Sequence, residues 1–221
     1  MFKNNKESEL KECYQLFSRN VETFKTITDI MGPYIKDRGE VVYNNKDLAR
    51  DPTKFIPELI KLKQEIDALV ERAFSNNIVF QDCKNKAFSH FMSKEHYSKQ
   101  LANYCDYEFK IGLKAAGDQQ IDEKIGNIIN LFKCLNNKMI FQFEYSKKLS
   151  DRLLTGRTQS MYAENLLITR LKAEQGVTYV SKMTSMIQDL DTSRVTMDFY
   201  RLLPHRVSFF NLGYSNCRHT I

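Results

Sequence analysis

Apolar residues recur every three or four positions along nearly the whole chain, and that spacing leaves few folds open. From Leu10 the series runs through Cys13, Tyr14, Phe17, Val21, Phe24, Ile27, Ile30, Met31 and Tyr34. Steps of three and four line one stripe of a helix, whereas a half-buried strand alternates by two. Gly39, just past this run, is read as a left-handed cap, and Gly32-Pro33 within it as a kink or break. Asn44 to Asp47 is read as a polar link. A second helix is predicted from Asp51-Pro52, an N-cap followed by the residue best tolerated at the first helical position. Its face includes Phe55, Leu59, Leu62, Ile66, Val70 and Phe74, and Ser75-Asn76-Asn77 closes it. Phe80, Cys83, Ala87, Phe88 and Phe91 mark a shorter third helix.

After Ser93 the pattern restarts with Leu101, Tyr104, Cys105 and Phe109, and ends in the Gly112 to Gly117 loop. Asp118 is the expected cap of the next helix, with Ile121, Ile125, Ile128, Ile129 and Phe132 inward. Met139, Phe141, Phe143, Tyr145, Leu149 and Leu153 read as another, stopped by Gly156. A long pattern from Met161 to about Tyr200 carries Leu167, Leu171, Val180, Met183, Ile187, Val195 and Phe199, with a kink or local break at Gly176. The aromatic residues at these spacings, Phe143 included, are expected to pack in the core. Long helices joined by short polar links predict an all-α fold, an elongated helical bundle. The composition shifts near residues 92–97, which divides the chain into helical segments 1–92 and 97–201. Helical spacing is lost over 202–221, which reads as a divergent tail.

Composition narrows the function classes. Hydrophobic residues make up 42% of the 221, enough for a core, while Gly (8) and Pro (4) are too scarce for a turn-rich β fold. The net charge of +6 is modest for this length and falls short of a dedicated nucleic-acid binder. The five cysteines, Cys13, Cys83, Cys105, Cys134 and Cys217, are scattered and form no C-x-x-C pair, the usage of reduced thiols. The polar start, MFKNNKESEL, has no signal-peptide character, and no apolar run is long enough to span a membrane. A cytoplasmic or nuclear location is expected.

Catalytic constellations are missing. There is no phosphate-binding G-x-x-x-x-G-K-[ST], no dinucleotide-type G-x-G-x-x-G and no G-x-S-x-G elbow. His90 and His96 lie six apart, the wrong spacing for two metal ligands on a helix face, so they read as histidines at an inter-helix link. Asp189 and Asp191 diverge on a helix and, with Asp198, read as a solvated face. No catalytic residue, cofactor or metal is assigned. Lys147, Lys148, Arg152 and Arg157 cluster near one helix end and read first as a solvated face offsetting its carbonyls. The alternative is a helical nucleic-acid-binding protein that uses this Lys147 to Arg157 cluster.

Three stretches carry a family resemblance. LANYCDYEFKIG (residues 101–112) resembles the cullin pattern where the last cullin repeat gives way to the C-terminal region. NIINLFKCLNNKMIFQFEYSKKLSDRLLTGRTQS (127–160) is similar to the family's "vFkyi.dKDvFe.fY...LakRLL.gkS.S", through Phe132-Lys133, Lys138, Phe141, Tyr145, Leu149 and Arg152-Leu153-Leu154. LLITRLKAEQGVTYVSKMTSMIQDLDTSRVTMDFYR (166–201) resembles "miskLK.ecG..ftsKle.MfkDm..S...m..F", with Leu171-Lys172, Gly176, Ser181-Lys182, Met186, Asp189 and Ser193 in register. Upstream, CYQLFSRNVETFKTITDIMGPYIKDRGEVV is similar to a cullin helix pair. Gln175 departs from the pattern, standing where many cullins have Cys.

The resemblance implies a middle segment: the end of the third cullin repeat over 1–92 and the four-helix bundle of the C-terminal region over 97–201. It implies a non-catalytic scaffold in a cullin-RING ubiquitin ligase, acting in ubiquitin-dependent protein catabolism with catalysis left to partners. In a full-length cullin those partners are an adaptor, a RING subunit and a conjugating enzyme, with neither nucleic acid nor membrane among them. Neither end of the family pattern is matched, so a truncated form lacking adaptor and RING docking regions is expected. In this family the bundle contributes to a basic surface that receives the acidic tail of the conjugating enzyme. Lys110 and Lys114 fall at that part of the pattern and are the implied contacts, although Ile111 replaces a second adjacent Lys.

Overall fold

The computed structural model describes residues 7–17 and 24–202, and every regular element among them is helical. Ten α-helices follow in order: α1 (Glu7–Phe17), α2 (Phe24–Asn44), α3 (Lys46–Arg50), α4 (Pro52–Phe74), α5 (Ile78–Phe91), α6 (Glu95–Tyr107), α7 (Asp118–Cys134), α8 (Lys138–Thr155), α9 (Met161–Gln175) and α10 (Val177–Leu202). A π-helical turn, Glu108–Gly112, prolongs α6. The all-α reading holds. Val21 and the stretch 203–221, with Pro204, His205, Cys217 and His219, lie outside the described residues.

Local chemistry places most of the helix ends. Asp51 caps α4, its Oδ1 accepting from the Thr53 amide at 2.9 Å and the Thr53 hydroxyl at 2.6 Å, with Pro52 in the first turn. The other end of α4 closes through left-handed Ser75 (φ 49) and Asn76 (φ 58), and Asn77 then caps α5. Gly156 (φ 65) ends α8 as expected. Gly176 (φ 86, ψ 174) divides the long last pattern into two helices, and α10 packs back against α9 and α8. The expected cap Asp118 is instead the first residue of α7, and Gly117 takes the cap position without a side-chain hydrogen bond. Of the expected link at Asn44 to Asp47 only Asn45 stands between helices: it caps α3 by accepting from the amides of Asp47 and Leu48.

In α2 the expected cap at Gly39 and a break at Gly32-Pro33 are both overturned. The helix continues through Gly32-Pro33 and past Gly39, ending only at Asn44. Gly39 is not a cap. It is buried, and a Cβ there would stand 2.7 Å from the ring of Phe91 on α5. Gly32, one heptad earlier on the same face, looks onto Cys83 of α5. Gly39 lets α2 press against α5, while a side chain at Gly32 would meet Cys83 only at ordinary contact distance. The α2–α5 packing holds the helix through a proline that removes one of its hydrogen bonds.

One hydrophobic core runs through the molecule, from Leu10 on α1 to Ile187 on α10. α4 is central to it, packing on α1 and α2 of the first half and on α6 and α7 of the second. Phe74 and Phe80 stack there at 4.1 Å between ring centroids. Each such side chain, fully buried, stabilises the fold by about 1.5–3 kcal/mol. In the second half α6 packs on α8, α7 on α9, and α10 on both α8 and α9. Several residues expected inside are outside: Met139 and Phe143 are 66% and 69% exposed, and Val195 and Phe199 on α10 are exposed as well. The buried part of α10 ends at Ile187; Leu190 still packs partly against the core, and Val195, Met197 and Phe199 beyond it are exposed.

Candidate functional site

Among the described residues no group of three or more His, Cys, Asp or Glu is arranged to hold a metal ion. His90 is exposed; His96 is half-buried, its Nε2 3.1 Å from the carbonyl oxygen of Ala49 and its ring edge-on to Tyr43 and Phe55. Asp189, Asp191 and Asp198 are exposed on α10, the last two facing Arg194 at 3.9 Å and Arg201 at 3.3 Å.

The most concentrated polar chemistry is a buried ionic clasp centred on Arg152. The Tyr145, Leu149 and Arg152 positions on α8 share one helix face, and that face turns inward. Arg152 is completely buried. Its Nε and Nη2 donate to the two oxygens of Glu164 on α9 at 2.8 and 3.0 Å, a fork-to-carboxylate geometry. Its Nη1 donates to Asp106 on α6 at 2.8 Å. Tyr145 donates to Glu164 at 2.7 Å, and Thr158 does so at 3.3 Å. The guanidinium also lies 5.1 Å from the Phe109 ring centroid and 5.4 Å from that of Tyr145. Three helices are thereby tied at one point.

The ionisation of these groups follows from burial and partners. Burial alone would loosen the Arg152 proton, but the oxygens of Tyr145 and Glu164 outweigh it and hold the guanidinium charged. Burial pushes the Tyr145 hydroxyl well above its ordinary range, and the Glu164 charge adds to this. Asp106 is also pushed up by burial, yet hydrogen bonds from Arg152 and Lys110 more than reverse it and hold its carboxyl below the usual value. Burial raises the thiol of Cys105 too, leaving no reactive thiolate beside the clasp. Arg152 and Glu164 are fully buried, so the arrangement holds their opposite charges fixed inside the protein.

The basic residues fall in different places. Arg152 is not on a solvated face, which corrects its reading as part of the Lys147 to Arg157 surface cluster. The physical reason is its i+7 relation to Tyr145, which puts it on the buried stripe. Lys147 and Arg157 are exposed and Lys148 is half-buried, so the cluster loses its central charge for contacting nucleic acid. Lys110, in the π-helical turn, is partly exposed and bridges Asp106 at 3.0 Å and Asp151 at 3.4 Å. Lys114 is exposed beside it. Glu108, at the start of the same turn, is buried and takes Lys124 at 2.7 Å. Asp106 and Glu164 were not singled out from the sequence, and spacing offers no signal for them; only the position of Arg152 on the Phe141, Tyr145, Leu149 stripe does.

Helices stacked around one continuous core and tied by an internal ionic clasp define an all-α, solenoid-like fold. Residues 1–197 match the family model for the cullin alpha solenoid domain. The chain belongs to the cullin family. It is 30% identical to Cullin-3B of Arabidopsis thaliana over 206 residues, which cover 92% of this chain and 28% of that protein. Similarity extends to Cullin-3 of Dictyostelium discoideum, at 29% over 202 residues, and to Cullin-4A of Homo sapiens, at 28% over 199. These matches take in 91% and 89% of this chain and 26% of each relative, so the chain spans just over a quarter of the length of the curated relatives it matches. No helix among the described residues is long and apolar enough to cross a membrane.

Proposed function

We propose that this chain is a non-catalytic scaffold segment of a cullin-RING ubiquitin ligase. Its helices hold the receptor side and the catalytic side of the assembly at a fixed separation, and the chemistry belongs to the partners. The observation that carries the reading is the unbroken core, in which α4 packs on helices from both segments. A bundle joined in this way transmits position without a hinge, and positioning is what a scaffold contributes to a transfer reaction. Residues 1–92 act as the end of a cullin repeat and 97–201 as the bundle that follows it. Work in the cytoplasm or nucleus fits this role.

Lys110 and Lys114 are the proposed contacts for the acidic tail of the conjugating enzyme. Lys114 is the freer of the two to solvent; Lys110 reaches a tail only by exchanging Asp151 for it. The attraction is long-ranged and weakens with salt. The decisive experiment grafts residues 1–201 in place of the matched segment of a full-length cullin-3 and measures ubiquitin transfer. Transfer is expected to persist, and to fall at low conjugating-enzyme concentration in the Lys110→Gln/Lys114→Gln variant. A folded chimera that binds its partners but supports no transfer would refute the scaffold reading.

A further inference from the structure

The outward face of α8 carries a second stripe that the scaffold role does not use. Met139, Phe143, Lys147 and Ser150 follow one another at three- and four-residue steps, opposite the buried Phe141, Tyr145, Leu149 and Arg152. Across from them on α10 stand Lys182 and Met186, one turn apart. Together the two helices enclose an open groove of about 480 Å³ with an apolar floor of Met139, Phe143 and Met186. Its charged walls are Lys147 and Lys182, and no carboxylate lines it.

Two hydrogen bonds fix the spacing of the helices at one end of the groove. Gln142 donates to the carbonyl of Tyr179 at 2.5 Å, and the Tyr179 hydroxyl donates to the carbonyl of Lys138 at 2.6 Å. The groove therefore stands ready-formed, and binding needs no rearrangement of α8 against α10. Exposing a phenylalanine and a methionine side by side costs solubility unless something covers them. Methionine adapts its shape to what it meets. From residue 139 to 150 the stripe is roughly 16 Å long, about three turns of a helix.

We propose that this groove docks an acidic amphipathic helix of a partner protein, with bulky apolar anchors at i, i+3 or i+4, and i+7. Such a helix lays its apolar face along Met139, Phe143 and Met186 and sets its carboxylates against Lys147 and Lys182. Charge selects this occupant over two others. Residues 203–221 contain no Asp or Glu and carry Arg206 and Arg218, so they meet the two lysines with like charge. A second copy brings a net charge of +6 to a positively rimmed groove. The site does not involve Lys110, and it stands or falls apart from the ligase reading.

The test uses the full chain and a fluorescent designed helix, with Leu or Phe at the anchor positions and Glu at the exposed ones, read by anisotropy. A scrambled peptide of the same composition serves as control. The designed helix is expected to bind at least tenfold more tightly than the scrambled one. Phe143→Ala, at an exposed position where folding is insensitive, is expected to weaken it about tenfold, the scale of a lost buried aromatic anchor. Lys147→Glu/Lys182→Glu weakens it at low salt and flattens its salt dependence, while Lys110→Gln leaves it unchanged. Equal binding of the scrambled peptide, or no response to Phe143→Ala, overturns the proposal. A benzophenone residue placed at position 139 identifies the occupant. Crosslinks to the designed helix support the proposal; crosslinks formed instead to residues 203–221, or to a second copy of the chain, overturn it.

Discussion

Replacing Arg152 with methionine tests whether the clasp is held as described. Methionine fills similar space but supplies no charge, so Glu164 stays fully buried with only the hydroxyls of Tyr145 and Thr158 as donors. Removing one partner of a buried pair costs about 3–5 kcal/mol, because the remaining charge has no counter-ion and no water. With a urea m-value on the order of 3 kcal/mol/M, the unfolding midpoint falls by roughly 1–1.7 M. Circular dichroism at 222 nm follows it directly. Adding Glu164→Gln to Arg152→Met keeps an acceptor for Tyr145 but removes the stranded charge. The double variant is therefore expected to regain about 1–3 kcal/mol over the single one.

Acid gives an independent reading of the same clasp. The folded state holds the Asp106 carboxyl below its ordinary value, so Asp106 contributes stability above about pH 4. That contribution is lost as the pH falls through the folded value. Arg152→Met removes one of the two hydrogen bonds responsible, so the stability gap between wild type and variant narrows on acidification. A single substitution costing under about 1 kcal/mol, or strict additivity in the double variant, refutes the account of the clasp.

The remaining predictions concern helix packing and turns. Gly39→Ala forces a methyl group into the ring of Phe91, and overpacking of about 1–3 kcal/mol exceeds the ~1 kcal/mol gain in helix propensity, so thermal unfolding shifts down. In Phe91→Leu the same substitution is expected to cost less, which a double-mutant cycle by urea unfolding reads out. Gly176→Ala meets no neighbour, but its backbone lies where only glycine is comfortable; a loss of about 1–3 kcal/mol is expected, at about 2–4 °C of Tm per kcal/mol. Phe143→Ser leaves stability within about 0.5 kcal/mol by urea unfolding, whereas a core phenylalanine truncated this way loses about 3–5.

Much of the helix layout was legible because short-range chemistry governs it. The three-and-four spacing marks α4, α5 and α7 closely, and Asp51-Pro52 marks where α4 begins. The candidate site was legible only in part. Lys114 lies on the surface, whereas Lys110 is already held by Asp106 and Asp151, partners that no spacing in the sequence reveals. On α8 two stripes of bulky residues compete, one through Met139 and Phe143 and one through Phe141 and Tyr145. Both satisfy helical spacing. Only the one that also contains Leu149 and Leu153 is broad enough to face a core.

By itself the sequence determined that the chain is helical, where α4 starts and where Gly156 and Gly176 break the pattern, since these rest on backbone angles set within a few residues. Tertiary structure decided the rest. It carried α2 through Gly32-Pro33, turned Gly39 from an expected cap into a close approach to α5, and drew Arg152 inward to partners 46 and 12 residues away. It also left Phe143 outside. Whether a charge is buried or an aromatic exposed depends on what the neighbouring helices bring to it. That balance of desolvation against pairing exists only once distant segments have met.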